Sequence, residues 1–211
     1  MTTKDCIEKS IRNSIDSVRF DTDTRFYNES YAELIEIGSK FKAGTAEKKD
    51  MVNMVSGMLA WNQGAKHAVK LSRAIELFSG NGTNSFTKLV DKLKSIESNG
   101  TELEKPKQRI LEVLELSQNS LGVRSVVIPS KFIHFISPVY FAMTDSNVSK
   151  GIKAGTNSRC GYIKYIQKLW ELGFHEEQPL DDSLAAYWGA SNNVTPMRAI
   201  DCTFYALGKE I

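Results

Sequence analysis

Cysteine is scarce and scattered. Cys6, Cys160 and Cys202 stand far apart and are odd in number. No CxxC pair or Cys/His cluster supports zinc or an iron–sulfur centre, and the spacing argues against a disulfide framework. Alternating strand patterns are nearly missing; Val123 to Ile128 is the single candidate. The start, Met1 to Asp5, lacks the apolar core of a signal peptide, and no apolar run approaches the length needed to cross a membrane. Internal repeats, low-complexity tracts and obvious linkers are also missing. A formal charge of +2 is too small to define a polyanion partner by itself. These absences describe a cytosolic protein with reduced thiols, without metal or organic cofactor.

What is present is helix after helix. A chain of 211 residues, 41% hydrophobic and 25% charged, is long enough to bury a substantial core. Ile7, Ile11, Ile15 and Val18 recur at helical spacing, as do Tyr27, Tyr31, Leu34, Ile35 and Phe41 up to a close at Ala43-Gly44-Thr45. Thr45 with Lys48 lacks the acidic partner of a full capping box. Met51, Met54, Val55, Met58 and Leu59 mark a strongly buried helix that leads into Trp61-Asn62-Gln63-Gly64. A basic helix with Lys66, His67, Lys70 and Arg73 follows, then a turn over Gly80 to Asn84. Further helices are expected through Phe86 to Ile96, from Pro106 to near Gly122, through Tyr162 to Trp170, briefly over Pro179 to Trp188, and through Met197 to Leu207. The spacing predicts one all-α unit of about ten helices in two lobes.

The stretch from Val126 to Ile152 organises the rest. A short apolar helix opens at Pro129-Ser130-Lys131 and stops before Pro138, and an aromatic-rich connection runs from Val139 to Met143. Thr144-Asp145-Ser146 then starts a second helix carrying Asn147, Val148, Lys150 and Lys153. A lysine near the start of one helix is thus followed, fourteen positions on, by an aspartate at the mouth of the next. Asp145 also reads simply as a helix cap, and the two roles are compatible. His134 reads as a satisfied, half-buried histidine, and Trp61 as core.

The order of these elements resembles the helix-hairpin-helix DNA glycosylase superfamily, the group of endonuclease III and the 8-oxoguanine glycosylases, over roughly Met51 to Lys153. The resemblance implies one glycosylase-like domain over residues 1–211 with a helix-hairpin-helix element. One lobe would span about 40–138 and the other 1–39 plus 139–211, with DNA in the cleft between them. It implies a monomer acting on duplex DNA that holds a damaged or modified base, in repair or on a naturally modified base such as that of invading phage. Asp145, with Val148 in the form Asp-x-x-Val, falls where the family has its essential aspartate. Lys131 falls where bifunctional members carry the lysine that forms a Schiff base with the sugar. Trp61, Asn62 and Gln63 would support the gap left by the extruded base. Lys66, Lys70, Lys150 and Lys153 would meet phosphates, with Ser130 and Asn147 beside them, and Tyr140 and Phe141 would line the base pocket. Arg198 and Lys209 on the final helix are further candidates for DNA contact.

The residue types suit that chemistry. Breaking a glycosidic bond develops positive charge on the sugar, and a nearby carboxylate stabilises it. A lysine nucleophile needs a lowered pKa, which desolvation supplies. Two other readings stay open: a non-catalytic helical DNA-binding or regulatory protein on the same scaffold, and a helical protein–protein interaction module using the Trp/Tyr-rich C-terminal third.

Overall fold

The computed structural model describes residues 23–61, 83–99, 105–175 and 195–209. They form eight α-helices: α1 (Asp23–Ala43), α2 (Lys48–Trp61), α3 (Thr83–Asn99), α4 (Pro106–Leu121), α5 (Val127–Ile136), α6 (Ser146–Gly151), α7 (Arg159–Glu171) and α8 (Pro196–Lys209). No strand occurs among the described residues. The patterns at Ile7 to Val18, Ala65 to Leu77 and Pro179 to Trp188 lie outside them. No helix among the described residues is long and apolar enough to cross a membrane.

Helix ends follow local chemistry. Gly44, Gly122 and Gly173 sit just past α1, α4 and α7 with φ of 73°, 66° and 76°, the left-handed conformation that glycine adopts without a Cβ penalty. Half of a capping box forms at α2, two residues on from Thr45. Asp50 reaches back to accept from the Glu47 backbone N–H at 2.7 Å, and its buried carboxylate also meets Lys40 at 3.6 Å.

The one candidate strand, Val123–Ile128, is not formed. The Val123 N–H turns back to the Gln118 carbonyl at 3.0 Å, and the Gln118 side-chain amide donates to the Arg124 and Ser125 carbonyls. With those backbone groups satisfied locally there is no ladder to build, and α5 opens at Val127, two residues before the expected Pro129. The apolar run is that of a helix buried on every side: all but Val127 of the ten α5 residues are buried.

That helix is the centre of the fold. Phe132, Ile133, Phe135 and Ile136 show no exposure, and each contributes about 1.5–3 kcal/mol by burial. Around them one apolar cluster gathers Leu34 and Ile37 of α1, Met54 and Met58 of α2, Leu93 of α3, Leu114 of α4, Ile166 of α7 and Ile200 of α8. α1 crosses α5 with backbones in contact, since a Cβ on Gly38 would lie 1.9 Å from the Phe135 carbonyl oxygen. α6 lies on α8 in the same way. A Cβ on Gly208 would meet the Asn147 carbonyl oxygen at 1.9 Å, and one on Gly151 the Phe204 carbonyl oxygen at 2.1 Å. This double contact fixes α6, and with it Asp145, against the last helix.

Candidate functional site

The connection from α5 to α6 has no regular secondary structure, yet most of it is buried. Buried peptide groups must find partners, and here side chains from several elements supply them along the chain. Thr195 Oγ1 donates to the Pro138 carbonyl at 2.8 Å, and Trp170 Nε1 to that of Tyr140 at 2.6 Å. His134 Nδ1 donates to the Phe141 carbonyl, and the Tyr162 hydroxyl to that of Ala142 at 3.1 Å. The Met143 N–H donates to Asp201 Oδ2 at 3.4 Å, and the Thr144 N–H to Ser130 Oγ at 3.1 Å. The chain is thereby delivered in one conformation to Asp145.

Asp145 caps α6. Its Oδ1 accepts from the N–H groups of Asn147 at 2.9 Å and Val148 at 3.0 Å. Both bonds fall on one oxygen, so Oδ2 carries no hydrogen bond among the described residues. The residue itself is half-buried.

Lys131 lies one turn into α5 and is only 5% exposed. Burial holds its ammonium below the usual lysine range. Asp145 lies close enough to pull the value back up, as Asp201 does more weakly, while Arg198 pushes it down. The two residues singled out by their order in the sequence are thus brought within electrostatic reach of each other.

Sequence reasoning did not find the surrounding charges. Arg198 Nη1 donates to Asp201 Oδ1 at 2.7 Å, with side chains 15% and 3% exposed, and the guanidinium stands 5.0 Å over the Tyr31 ring. Burial pushes the Asp201 carboxyl up to about 6 against the opposing pull of Arg198. Arg198 is therefore committed inside the fold rather than facing DNA. The signal was available: an Arg and an Asp three apart, among Met197, Ile200 and Phe204, share a helix that must bury that side. His134 is satisfied as expected, though fully buried. Its Nδ1 faces a carbonyl and must carry the proton, so Nε2 accepts from the Tyr31 hydroxyl at 2.8 Å. Burial depresses its pKa to about 3.

Several expected contacts are placed differently. Ser130 is fully buried, and its hydroxyl, besides accepting from Thr144, donates to the Val127 carbonyl at 2.8 Å; it braces the connection and does not reach a phosphate. Phe141 is fully buried against Trp170 and belongs to the core, not to an open base pocket. Tyr140 keeps partial exposure, with its hydroxyl donating to the Glu97 carbonyl at 3.2 Å and its ring against Trp170 and His175. Asn147 is half-buried at the α6–α8 crossing. Lys150 is exposed in the last turn of α6. Lys153 is exposed beyond the helix end rather than on it, with φ 55°. Trp61 ends α2, and Asn62, Gln63, Lys66 and Lys70 lie outside the described residues.

The groove between α3 and α4 lies apart from this centre. It encloses about 530 Å³ and is lined by Lys88, Asp91, Lys92, Glu112, Glu115 and Asn119 among others, none of them a site residue. Among the described residues no group of three or more His, Cys, Asp or Glu side chains could hold a metal ion. Comparison with protein-family models, with curated proteins and with solved structures returns no match for this chain.

Proposed function

We propose that this protein is a DNA N-glycosylase of the helix-hairpin-helix type that excises a damaged or modified base. One observation carries the reading: a desolvated lysine, Lys131, lies within electrostatic reach of a fixed carboxylate, Asp145, that keeps one oxygen free of hydrogen bonds among the described residues. In this reading Oδ2 of Asp145 stabilises the positive charge that grows on the sugar as the base leaves, and orients the attacking nucleophile. Lys131, whose pKa burial lowers, is the second nucleophile once its amine has lost its proton. Its attack on the sugar C1′ would displace the base and give an imine, from which β-elimination cuts the strand. The substrate lies between the lobes proposed above, about 40–138 and 1–39 plus 139–211, with Lys150 and Lys153 on phosphates.

The test is cleavage of end-labelled duplexes, each with one lesion or modified base, with and without alkali. Strand breakage only after alkali, lost in Asp145→Asn, is the outcome for a monofunctional enzyme. Breakage without alkali, with an imine trapped by borohydride and lost in Lys131→Gln, is that for a bifunctional one. A second reading, a non-catalytic DNA-binding protein, is favoured by the 5% exposure of Lys131 and the capping role of Asp145. In that case the charges serve the fold, and tight binding without cleavage of any duplex would decide for it.

A further inference from the structure

Charge is distributed unevenly along this chain. Between Glu115 and Glu171 there are seven lysines and arginines and a single acid, Asp145. The rest of the chain holds 20 of the 27 basic residues against 24 of the 25 acidic ones. A protein close to neutral overall is therefore strongly positive over one 55-residue stretch, and that stretch carries the lone carboxylate of the candidate site.

The fold puts these cations outside and links segments that carry several of them. Arg124, Lys150, Lys153, Arg159, Lys164 and Lys168 are all exposed; only Lys131 is buried. The loop after α6 folds back on the site, where Thr156 Oγ1 and Thr144 Oγ1 share a buried hydrogen bond of 2.7 Å. Lys150, Lys153 and Arg159 flank Thr156 in sequence, and Thr144 precedes Asp145. On the other side, Arg159 Nη2 donates to Gln118 Oε1 at 2.7 Å, and the amide of the same Gln118 donates to the Arg124 carbonyl. One glutamine thus joins the loop before α5 to the start of α7. Arg159 is partly compensated by Glu115 at 2.8 Å, and Lys168 by Glu171 at 3.3 Å. Arg124, Lys150, Lys153 and Lys164 form no ion pair among the described residues.

We infer that Arg124, Lys150, Lys153 and Lys164 form a phosphodiester-binding track beside Asp145, which receives the backbone of a nucleic acid. In the hairpin between α4 and α5, the Ser130 N–H is bonded to the Val126 carbonyl at 2.9 Å, and Val126, Ile128 and Pro129 are buried, so that turn offers little to a phosphate. Apart from the buried Thr156, the loop from Lys153 to Ser158 is exposed and carries the small residues Ala154, Gly155 and Ser158, so a backbone can approach closely. A membrane surface fits less well. The one exposed large hydrophobic side chain among the described residues, Tyr205, is on α8, and the apolar neighbours of these cations, Val123 and Ile152, pack against the core rather than standing free to enter a bilayer. The track shares the DNA partner of the proposed glycosylase but needs no turnover, so either proposal can fail alone.

The experiment is fluorescence anisotropy of the full chain with a labelled DNA duplex, a single strand and an RNA hairpin, each titrated at several salt concentrations between 50 and 200 mM, about the range over which phosphate contacts are read. A triple variant, Lys150→Ser with Lys153→Ser and Lys164→Ser, is compared with an equal charge change on α3 and α4, Lys88→Ser with Lys94→Ser and Lys107→Ser. Each lost phosphate contact should reduce the slope of log K against log salt by about 0.9 on duplex DNA, so the track variant should lose about 2–3 in slope and the control less than 1. Asp145→Asn, which removes the lone negative charge, should bind as tightly as wild type or more so, whatever happens to cleavage. Equal weakening by both triple variants, absence of binding to all three nucleic acids, or equally tight binding to anionic vesicles would each overturn the inference. Binding of RNA alone would keep the track and remove DNA as its ligand.

Discussion

His134 is the most demanding test of the site's architecture. It is wholly buried between the Tyr31 hydroxyl and the Phe141 carbonyl, and its pKa is depressed from 6.5 to about 3. A group with a depressed folded pKa excludes a proton that the unfolded chain accepts. The stability it contributes is full above 6.5 and is lost as pH falls from 6.5 towards 3. At about 1.36 kcal/mol per pH unit, the loss between pH 7 and pH 4 comes to about 3 kcal/mol. Asparagine at this position can place its amide N–H where Nδ1–H stands, keeps the bond to Phe141, and does not titrate. It deprives Tyr31 of its acceptor, at a cost of about 1–3 kcal/mol, and removes part of a buried ring. His134→Asn should therefore be less stable than wild type at pH 7, and the gap should close by about 3 kcal/mol by pH 4. Asp201, whose raised value works in the opposite sense between 3.8 and about 6, is present in both proteins and drops out of the difference. Urea unfolding at unit steps from pH 7 to pH 4 measures this directly. A gap that stays constant would mean that His134 is not a neutral, sealed imidazole, and the account of the connection built on its tautomer would fall with it.

Three other perturbations follow from the same structure. Gly208→Ala drives a Cβ into the Asn147 carbonyl oxygen; it should cost at least about 1–3 kcal/mol and loosen α6, read as faster amide exchange at Asn147 and Val148. Asp145→Ala should lose about 0.5–2 kcal/mol through the missing cap, while Asp145→Asn retains it; equal losses in thermal unfolding would show that the carboxylate does more for the fold than capping. Lys131→Met removes the cost of burying an ammonium but also its attraction to Asp145, and should therefore change stability at pH 7 by less than about 3 kcal/mol. Because burial lowers the folded-state value, wild type should gain stability relative to the methionine variant as pH rises towards 10.5; parallel alkaline profiles would place the Lys131 ammonium in a solvated environment.

Much of this fold was legible because helices announce themselves locally. The three- and four-residue recurrence of Leu34, Met54, Leu93, Leu114 and Ile166 survives as the core, and Gly44, Gly122 and Gly173 stop their helices where a left-handed residue is needed. Asp145 was legible for the same reason, since a cap acts within its own turn. What failed to show was set by distant neighbours. Val123 to Ile128 alternates poorly and is apolar because α5 is enclosed, which no local period distinguishes from a short strand. Ser130 and Phe141 were expected at a ligand because they flank Lys131 and Asp145 in sequence; burial, a tertiary property, assigns them to the frame. Arg198 and Asp201 lie more than fifty residues beyond Asp145, and only the crossing of α8 with α6 brings them to Lys131.

That crossing bears on how the protein is made. The connection into Asp145 depends on hydrogen bonds from Tyr162, Trp170, Thr195 and Asp201, and α6 is seated by Gly208. A ribosome that has just synthesised Lys131 and Asp145 has produced the site's two charged groups but none of these partners. The nascent chain gains a defined site only after translation has passed residue 208.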